Sequence, residues 1–284
     1  MEEDVVTMRE YAYLWDYDTN EDENKPVLKI TKSSFGQFQW CPKKYEFNYI
    51  ARLPQDQTEA MAKGTIVHNA REEFFNVFDI KKAETYSHNE LVDYCISLHP
   101  IDDYNEIYET MAIFEANRFL DSKKEDSVEN FLPIGNEILL DAEIEVEGIT
   151  VHLQGIIDRI FMENGAYIPM ELKTGLWKNW RTTGMRKEMA FYKILYENTP
   201  PEILIEQGLE PLIPLTHWGW YFPASNYIDV EPVKKRSETA VYDGMKKIIN
   251  AYREGLFPTK FFAKTCAGCS YFNICDAANT ESWV

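Results

Sequence analysis

The sequence has no apolar run that approaches the roughly 20 residues needed to cross a bilayer. Its first residues, MEEDVVTMRE, lack the basic and apolar regions of a signal peptide. It contains no G-x-x-x-x-G-K-[ST] loop, the phosphate-binding motif of ATP-driven motors. We therefore expect a cytoplasmic (intracellular) protein that does not bind membranes and carries no motor of its own.

Positive charge is also scarce. The chain has 29 Lys and Arg against 47 Asp and Glu, a net charge of −18, which argues against a broad basic surface for nucleic acid. Nine acidic residues stand against Arg9 alone in residues 1–24, so we interpret residues 1–30 as a solvated acidic extension. A local basic group follows later in the chain, at Lys173, Lys178, Arg181, Arg186 and Lys187.

Five cysteines in a reducing compartment are more typical of metal ligands or free thiols than of disulfides. Cys266, Cys269 and Cys275 form a Cys-x₂-Cys-x₅-Cys pattern, whose first spacing lets two thiolates bind one centre. A tetrahedral site needs a fourth ligand, and Cys41, which precedes a proline, is a better candidate than Cys95 in a helical segment. The spacing does not separate zinc from an iron–sulfur cluster, and three free cysteines remain the alternative.

The remaining residues, 31–284, are predicted to form one α/β domain, because 45% of the chain is hydrophobic and can build a core. Residues 31–135 are mainly helical in pattern, 136–235 form the sheet core, in which the period changes to two from Asn136, and 236–284 combine a helix with the cysteine-rich tail. In the first part, the pattern predicts a serine-capped helix after Thr31, a helix starting around Gly64 and continuous helix over 83–124. In the second part, it predicts a hairpin at Glu147-Gly148, a helix that is ended by Pro200 and a strand over 217–230. A last helix is predicted over 237–255.

Residues 155–175 hold the most informative stretch, GIIDRIFMENGAYIPMELKTG. Asn164-Gly165 between two apolar alternating runs predicts a β-hairpin, because both residues tolerate the positive φ of a type I′ turn. Positions that face each other across this turn sum to 329, which places Asp158 opposite Glu171. Lys173 then points to the same face as Glu171, because strand side chains alternate.

Two adjacent carboxylates repel each other, and a divalent cation between them removes the repulsion. Mg²⁺ and Mn²⁺ prefer such oxygen ligands, so the hairpin predicts a metal site. The alternative is a solvated sheet face balanced by Lys173. His68, near the start of a predicted helix, is either a hydrogen-bonded core residue or a further ligand. Glu143 and Glu145 fit exposed strand positions better than ligand positions.

The order of these motifs resembles a known family. The matching positions are Gly64 and His68 on a helix, Gly155 to Asp158, Glu171-Leu172-Lys173, Glu188 and Tyr192 four residues apart, and the cysteines at 41, 266, 269 and 275. Together they resemble the PD-(D/E)XK nuclease superfamily over residues 31–276. The resemblance is to the branch of RecB-type nuclease domains and small CRISPR-associated exonucleases that carry an iron–sulfur cluster. It implies a restriction-endonuclease-like core, a mixed central sheet flanked by helices.

The resemblance also implies residue roles. His68, Asp158, Glu171 and the carbonyl of Leu172 would hold Mg²⁺ or Mn²⁺. Lys173 would orient or activate the attacking water and stabilise the developing negative charge. Tyr192 would match the tyrosine of the family's Gln-x-x-x-Tyr motif, in which this chain has Glu188 in place of glutamine. The four cysteines, Cys41, Cys266, Cys269 and Cys275, would hold a structural 4Fe-4S cluster, with zinc as the alternative.

These implications predict a Mg/Mn-dependent deoxyribonuclease that acts on single-stranded DNA or DNA ends, as an exonuclease rather than an endonuclease. Its partners would be DNA, further copies of itself, or recombination and repair proteins. The alternative is a non-catalytic DNA-processing or host-interaction module that keeps the nuclease fold.

Overall fold

The computed structural model describes residues 27–55, 58–179, 182–262 and 266–276. These residues form a six-stranded mixed sheet with helices on both faces, as the sequence predicts. None of the described helices has the length and apolar content that a membrane crossing requires. The strands are β1 (Val27–Thr31), β2 (Gly135–Val146), β3 (Ile149–Glu163), β4 (Ala166–Leu172), β5 (His217–Phe222) and β6 (Tyr227–Pro232).

The helices carry the remaining regular structure. They are α1 (Lys32–Trp40), α2 (Glu59–Val77), α3 (His88–Ser97), α4 (Asn105–Lys124), α5 (Thr182–Asn198), α6 (Pro201–Glu206) and α7 (Lys235–Glu254). Shorter helical turns lie at Pro42–Tyr45, Ile80–Ala83, Val128–Asn130, Pro223–Ser225 and Phe272–Ile274, and a π-helical turn at Glu46–Ile50 follows the first of them.

Strand β3 organises the sheet, because it pairs with three others. Antiparallel β2 follows it along one edge, from residue 149 to residue 160. On the other edge, β3 pairs in parallel with β1 over residues 150–154 and antiparallel with β4 over residues 159–163. Beyond β4 come β5, which is parallel to β4, and the antiparallel β6. The sheet thus starts at Val27 and includes residues 27–30, which the sequence assigns to the acidic extension.

Both predicted hairpin turns are confirmed. Asn164 and Gly165 have φ values of 51° and 73°, and Glu147 and Gly148 have φ values of 54° and 73°. Positive φ at both central residues is the property of the type I′ turn, whose twist matches that of the flanking strands. The register that follows from the first turn is observed from the pair Glu163–Ala166 to the pair Arg159–Met170.

Several predicted boundaries differ from the structure. Thr31 rather than a serine caps α1, because its side chain accepts a hydrogen bond from the Ser34 backbone. The Ser34 side chain in turn accepts one from the Thr31 backbone, and the two bonds form a capping box. Thr58 caps α2, which therefore starts at Glu59 instead of Gly64. The continuous helix predicted for 83–124 is wrong: the chain breaks between α3 and α4, where Pro100 interrupts it. The single strand predicted for 217–230 is two, separated by a turn in which Asn226 has φ 43°.

The two faces of the sheet bury different helices. Trp220 of β5 packs in one core with Phe191 of α5 and Met245 of α7. The next residue, Tyr221, lies on the opposite face with Val67 of α2 and Met111 of α4. Because neighbouring strand residues point to opposite faces, this alternation shows that helices cover both sides. The predicted α/β class is confirmed.

Helix α7 crosses α1 closely at Gly244. A Cβ atom at this position would lie 2.6 Å from the Gln39 amide nitrogen and from a ring carbon of Phe35, which is buried. Such overpacking forces core side chains out of their rotamers, so Gly244 allows the helices to approach.

We predict that Gly244→Ala lowers the free energy of unfolding by about 1–2 kcal/mol, because the overlap with Phe35 outweighs the better helix propensity of alanine. Gly36→Ala in α1 is the matched control, since a Cβ there meets nothing within 4 Å. It should raise the same free energy by about 0.5–1 kcal/mol. Urea unfolding of both variants measures this; equal effects would contradict the close crossing.

Candidate active site

Asp158 lies where β4 separates from β3. It is 7% exposed, and its Oδ2 accepts a hydrogen bond of 2.7 Å from the backbone nitrogen of Leu172. The observed β3–β4 pairing ends one residue earlier, at Arg159–Met170, and β4 pairs with β5 over residues 170–172. The Asp158 side chain therefore replaces a backbone contact and satisfies an amide that the diverging strands leave open.

Glu171 on β4 is 3% exposed and has one paired and one unpaired oxygen. Its Oε1 accepts hydrogen bonds from Lys32 Nζ at 2.8 Å and from Lys173 Nζ at 3.0 Å. Its Oε2 is buried and has no hydrogen-bond partner among the described residues. Burial opposes ionisation, but Lys173 and Lys32 outweigh it and hold the pKa of Glu171 well below its usual range. Glu171 is thus a buried anion with one oxygen available.

A third carboxylate approaches from the other side of β3. Glu137 of β2 falls between Asn136, which pairs with Arg159, and Ile138, which pairs with Ile157, so it lies across from Asp158. Burial raises the pKa of Glu137 to about 7, and the neighbouring Asp158 contributes to the increase. Burial also raises the pKa of Asp158, with the charge of Glu171 as the next cause. Each carboxyl group thus makes ionisation of its neighbours less favourable. Carboxylates that bind one cation together behave in this way when the cation is removed.

His68 completes the cluster from helix α2. Its Nδ1 lies 3.6 Å from Asp158 Oδ2. One potential ligand atom each from His68, Glu137 and Asp158 lie within 4.8 Å of one another. The structure therefore brings together two of the predicted ligands, His68 and Asp158, and adds Glu137.

The donor set fits a hard divalent cation. Carboxylate oxygens with one imidazole suit Mg²⁺ or Mn²⁺, and the buried Oε2 of Glu171 has an oxygen lone pair that no described residue uses. His68, Glu137 and Asp158 would hold the ion; Glu171 lies outside this group, and its role as a fourth ligand stays a prediction. Leu172 contributes its N–H to Asp158, and metal binding by its carbonyl stays a prediction. Glu143 and Glu145 are exposed on β2, away from this group.

Lys173 points to the Glu171 side, as the alternation of the strand predicts. Its Nζ donates to Glu171 and also to Glu188 Oε2 of α5, at 2.8 Å. Burial works against the charged form, but Glu171 and Glu188 outweigh it and raise the pKa of Lys173. The ammonium group therefore stays charged beside the carboxylates.

Lys32, the first residue of α1, is a site residue that the sequence does not reveal. Besides its bond to Glu171, its ammonium lies 5.3 Å from the ring centroid of Tyr192. Tyr192 is fully buried and donates a hydrogen bond of 2.6 Å to the carbonyl of Ile156. Burial, followed by the charge of Glu171, raises the pKa of Tyr192 well above its usual value. Tyr192 thus stays protonated and links α5 to β3 behind the carboxylates.

The four cysteines predicted as ligands line one small cavity of about 20 Å³, and Cys95 lies elsewhere, buried among α2, α3 and α4. Within the described residues, no three of the four Sγ atoms lie within 4.8 Å of one another. The tail carrying Cys266, Cys269 and Cys275 is tied to the N-terminal half by Tyr271, whose hydroxyl donates to Asn48 Oδ1 at 3.2 Å and to the carbonyl of Leu53 at 3.0 Å.

The basic residues after the hairpin do not form the single group that the sequence shows. Arg186 makes two hydrogen bonds, of 2.5 and 2.6 Å, to Glu231 of β6. Lys187 instead lies near Lys247 and Lys260. Burial, followed by the charges of these two lysines, lowers the pKa of Lys187. Arg181 lies outside the described residues, as does the acidic stretch 1–24.

Comparison with solved structures gives low similarity. A crystal structure of SSO0001 is 12% identical and covers 98% of this chain and 97% of its own, with a TM-score of 0.41. A crystal structure of Scheffersomyces stipitis Rai1 is 10% identical and covers 82% of this chain and 71% of its own, with a TM-score of 0.25. A search of curated proteins found no match.

The family comparison is decisive. The model of the PD-(D/E)XK nuclease superfamily matches residues 29–276, a range that contains the sheet except its first two residues, the carboxylate cluster and Cys41, Cys266, Cys269 and Cys275. The match covers far more than half of the chain, and the chain belongs to the PD-(D/E)XK nuclease superfamily.

Proposed function

We propose that this protein is a Mg²⁺- or Mn²⁺-dependent deoxyribonuclease. The observation that carries the proposal is the buried, unpartnered Oε2 of Glu171 beside the group formed by His68, Glu137 and Asp158. A carboxylate oxygen in such a position is costly unless it meets a cation or a hydrogen-bond donor. Membership in a nuclease superfamily supports phosphodiester hydrolysis as the reaction.

The chemistry divides between the ion and Lys173. A bound Mg²⁺ or Mn²⁺ lowers the pKa of its water and polarises the phosphoryl oxygen. The Lys173 ammonium, held by Glu171 and Glu188, supplies a fixed positive charge for the negative charge that develops on the phosphate. Lys32 neutralises Glu171 from the other side, so a buried carboxylate can stay ionised without the ion.

The proposed substrate is single-stranded DNA or a DNA end. Leu139 and Ile156 pair across β2 and β3 and are 44% and 46% exposed. Each lies two residues from a cluster carboxylate, Glu137 or Asp158, and on the same face of its strand. Such an apolar surface beside the site offers contact to the flat faces of unpaired bases. Lys187, Lys247 and Lys260 supply positive charge for the phosphate backbone. The preference for exonuclease action rests on the resemblance to RecB-type domains.

Cys41, Cys266, Cys269 and Cys275 are proposed to hold a 4Fe-4S cluster of structural function, with zinc as the alternative. Their common cavity supports one shared centre. Such a centre would join the start of the domain to its last described residues, in the same way that Tyr271 does. Association with further copies of the chain, or with recombination and repair proteins, is proposed from the same resemblance.

A second candidate function is a non-catalytic DNA-processing or host-interaction module. Glu188, which stands where the family has a glutamine, favours it, because its carboxylate holds Lys173 by a 2.8 Å hydrogen bond. A lysine held in this way is less free to act on water. Activity on DNA distinguishes the two candidates.

We predict that the wild-type protein degrades linear single-stranded DNA with Mn²⁺, leaves circular single-stranded DNA intact, and is inactive in EDTA. Lys173→Ala should lower the cleavage rate at least about 100-fold, because it removes charge stabilisation in the transition state. Its Mn²⁺ affinity should stay close to wild type. Asp158→Asn and Glu171→Gln should lose both cleavage and Mn²⁺ binding.

Lys178→Ala is the matched control for Lys173→Ala, since Lys178 is exposed on the loop that follows β4. Gel assays and calorimetric Mn²⁺ titrations measure the two effects separately. Full activity of the Lys173 variant would remove Lys173 from the mechanism. Inactivity of the wild-type protein on all DNA forms would favour the non-catalytic module.

Glu137 yields a separate prediction. Glu137→Gln should weaken Mn²⁺ binding at least about tenfold, which corresponds to about 1.4 kcal/mol, because it replaces an anionic ligand by a neutral amide. Glu143→Gln, on the same strand but exposed, should leave the affinity unchanged. Titration calorimetry with metal-free protein measures both; equal affinities for the two variants would exclude Glu137 from the site.

Protein purified without air should be brown, contain iron and absorb near 400 nm, which is typical of iron–sulfur clusters. Cys41→Ser should lose the colour and lower the unfolding temperature of the whole domain, because ligand loss removes metal-coupled folding energy. Cys95→Ala removes a buried core thiol and should keep the iron. Colourless protein with one equivalent of zinc and no iron would assign the four cysteines to zinc.

A further inference from the structure

A second cavity, of about 430 Å³, lies against the face of the sheet that α2 and α4 cover. Helix α4 forms one wall and the β3–β4 hairpin forms another. Arg159, which lines it, follows Asp158 directly in β3 and pairs with Met170, so both alternate with Asp158 and Glu171. The volume is within the range of about 300–1,000 Å³ that is typical of small-molecule sites.

Three arginines converge on this cavity, and two of them are almost fully buried. Arg71 is 2% exposed and Arg159 is 3% exposed. The third, Arg118, donates from Nε to Glu115 Oε2 at 2.7 Å, and Arg71 Nη2 donates to the other oxygen of Glu115. All three guanidinium groups lie within 6 Å of the Phe75 ring centroid, which places them around one point.

The donors in this cluster exceed the acceptors. Nε and Nη1 of Arg71, Nε and Nη2 of Arg159, and the hydroxyl of Tyr221 are buried and have no hydrogen-bond partner among the described residues. Buried polar groups are normally paired, and charged ones most strictly. Five unpaired polar atoms on three side chains that line one cavity therefore indicate a ligand with several acceptor atoms.

The charge of the cluster specifies what that ligand is. Three guanidinium groups line the cavity with one buried carboxylate, Glu115, and the buried Asp158 also attracts Arg159, which leaves a net positive charge. Burial, followed by repulsion from Arg71, lowers the pKa of Arg159 to about 10, so it remains charged at neutral pH. The other carboxylates of the lining, Asp121, Glu125 and Glu163, are exposed at the mouth, where solvent screens them.

The walls beyond the arginines are apolar and partly aromatic. Phe114 stacks on Tyr221 with ring centroids 4.7 Å apart, and Phe131, Phe161 and Ile168 continue the surface. Inorganic phosphate would leave this surface uncovered. A ligand that fills the cavity combines an anionic head that has several acceptor atoms with a flat apolar body.

We propose that this cavity binds a phosphorylated small molecule of the nucleoside monophosphate class. The phosphoryl oxygens accept from Arg71, Arg159 and the Tyr221 hydroxyl, because planar guanidinium forks match phosphate geometry. The base lies against Phe114 and Phe161, which are only partly buried. The site is distinct from the metal cluster, because none of His68, Glu137, Asp158 and Glu171 lines the cavity.

Titration calorimetry in EDTA tests the proposal, with 5′-dAMP, inorganic phosphate and deoxyadenosine as probes. We expect 5′-dAMP to bind at least about tenfold more tightly than either of the others, since it alone has both head and body. Arg159→Gln should weaken 5′-dAMP binding at least about tenfold. Tyr221→Phe should weaken it about two- to fivefold without loss of stability, because the hydroxyl has no partner in the described residues.

Glu171→Gln is the control for the metal site, since Glu171 does not line the cavity, and should bind 5′-dAMP as the wild-type protein does. The nucleotide proposal is therefore tested independently of nuclease activity. If Arg159→Gln does not fold, Tyr221→Phe decides the role of the buried donors. The proposal is overturned by absence of 5′-dAMP binding, by equal affinities for 5′-dAMP and phosphate, by unchanged binding in the folded Arg159 and Tyr221 variants, or by loss of binding in Glu171→Gln.

Discussion

The hydrogen bond from the Leu172 backbone to the Asp158 carboxylate is the contact on which the site depends. It stands at the point where β4 ends its pairing with β3 and begins its parallel pairing with β5. Two strands that stayed paired would close the space between them with backbone contacts. Because a side chain takes over at Asp158, the strands can separate, and the carboxylates of Asp158 and Glu171 reach a common space without an open amide beside them.

Electrostatic balance follows from this geometry. Glu137, Asp158 and Glu171 lie near one another where the strands separate. Their negative charge is partly neutralised by Lys32 and Lys173, which both bind one oxygen of Glu171. The compensation is uneven, because burial raises the pKa of Glu137 and Asp158 while the two lysines lower that of Glu171. A divalent cation would restore the balance where no lysine does. One residue further along β3 the sign reverses, and Arg159 contributes to the positive charge that lines the cavity beside α4.

Local signals in the sequence predicted the hairpins, the cysteine group and the placement of Lys173, because turn residues and strand alternation act over a few residues. The role of Glu137 could have been predicted by the same reasoning. Positions that face each other across the Glu147-Gly148 turn sum to 295, which pairs residue 137 with residue 158. The contact of Lys32 with Glu171 could not have been predicted from the sequence, because it depends on the parallel pairing of β1 with β3. No turn sets the register of that pairing. The buried arginines were missed for a related reason: Arg71 and Arg118 occur in helices with exposed positions nearby, and only tertiary packing shows which side is covered.

The parallel pairing of β1 with β3 has a consequence for the order in which the chain folds. Val27–Thr31 can pair only after Thr150–Gln154 has been synthesised. The whole segment from α1 to β2 lies between these two stretches. On the ribosome, the first strand of the sheet therefore emerges long before its partner exists, while α2, α3 and α4 can already pack on one another. Contacts of such high sequence separation form slowly, because a long loop must close first. We expect a nascent chain whose helical part is ordered while β1 and Lys32 are still unattached, so that Lys32 reaches Glu171 only in the final stage of folding.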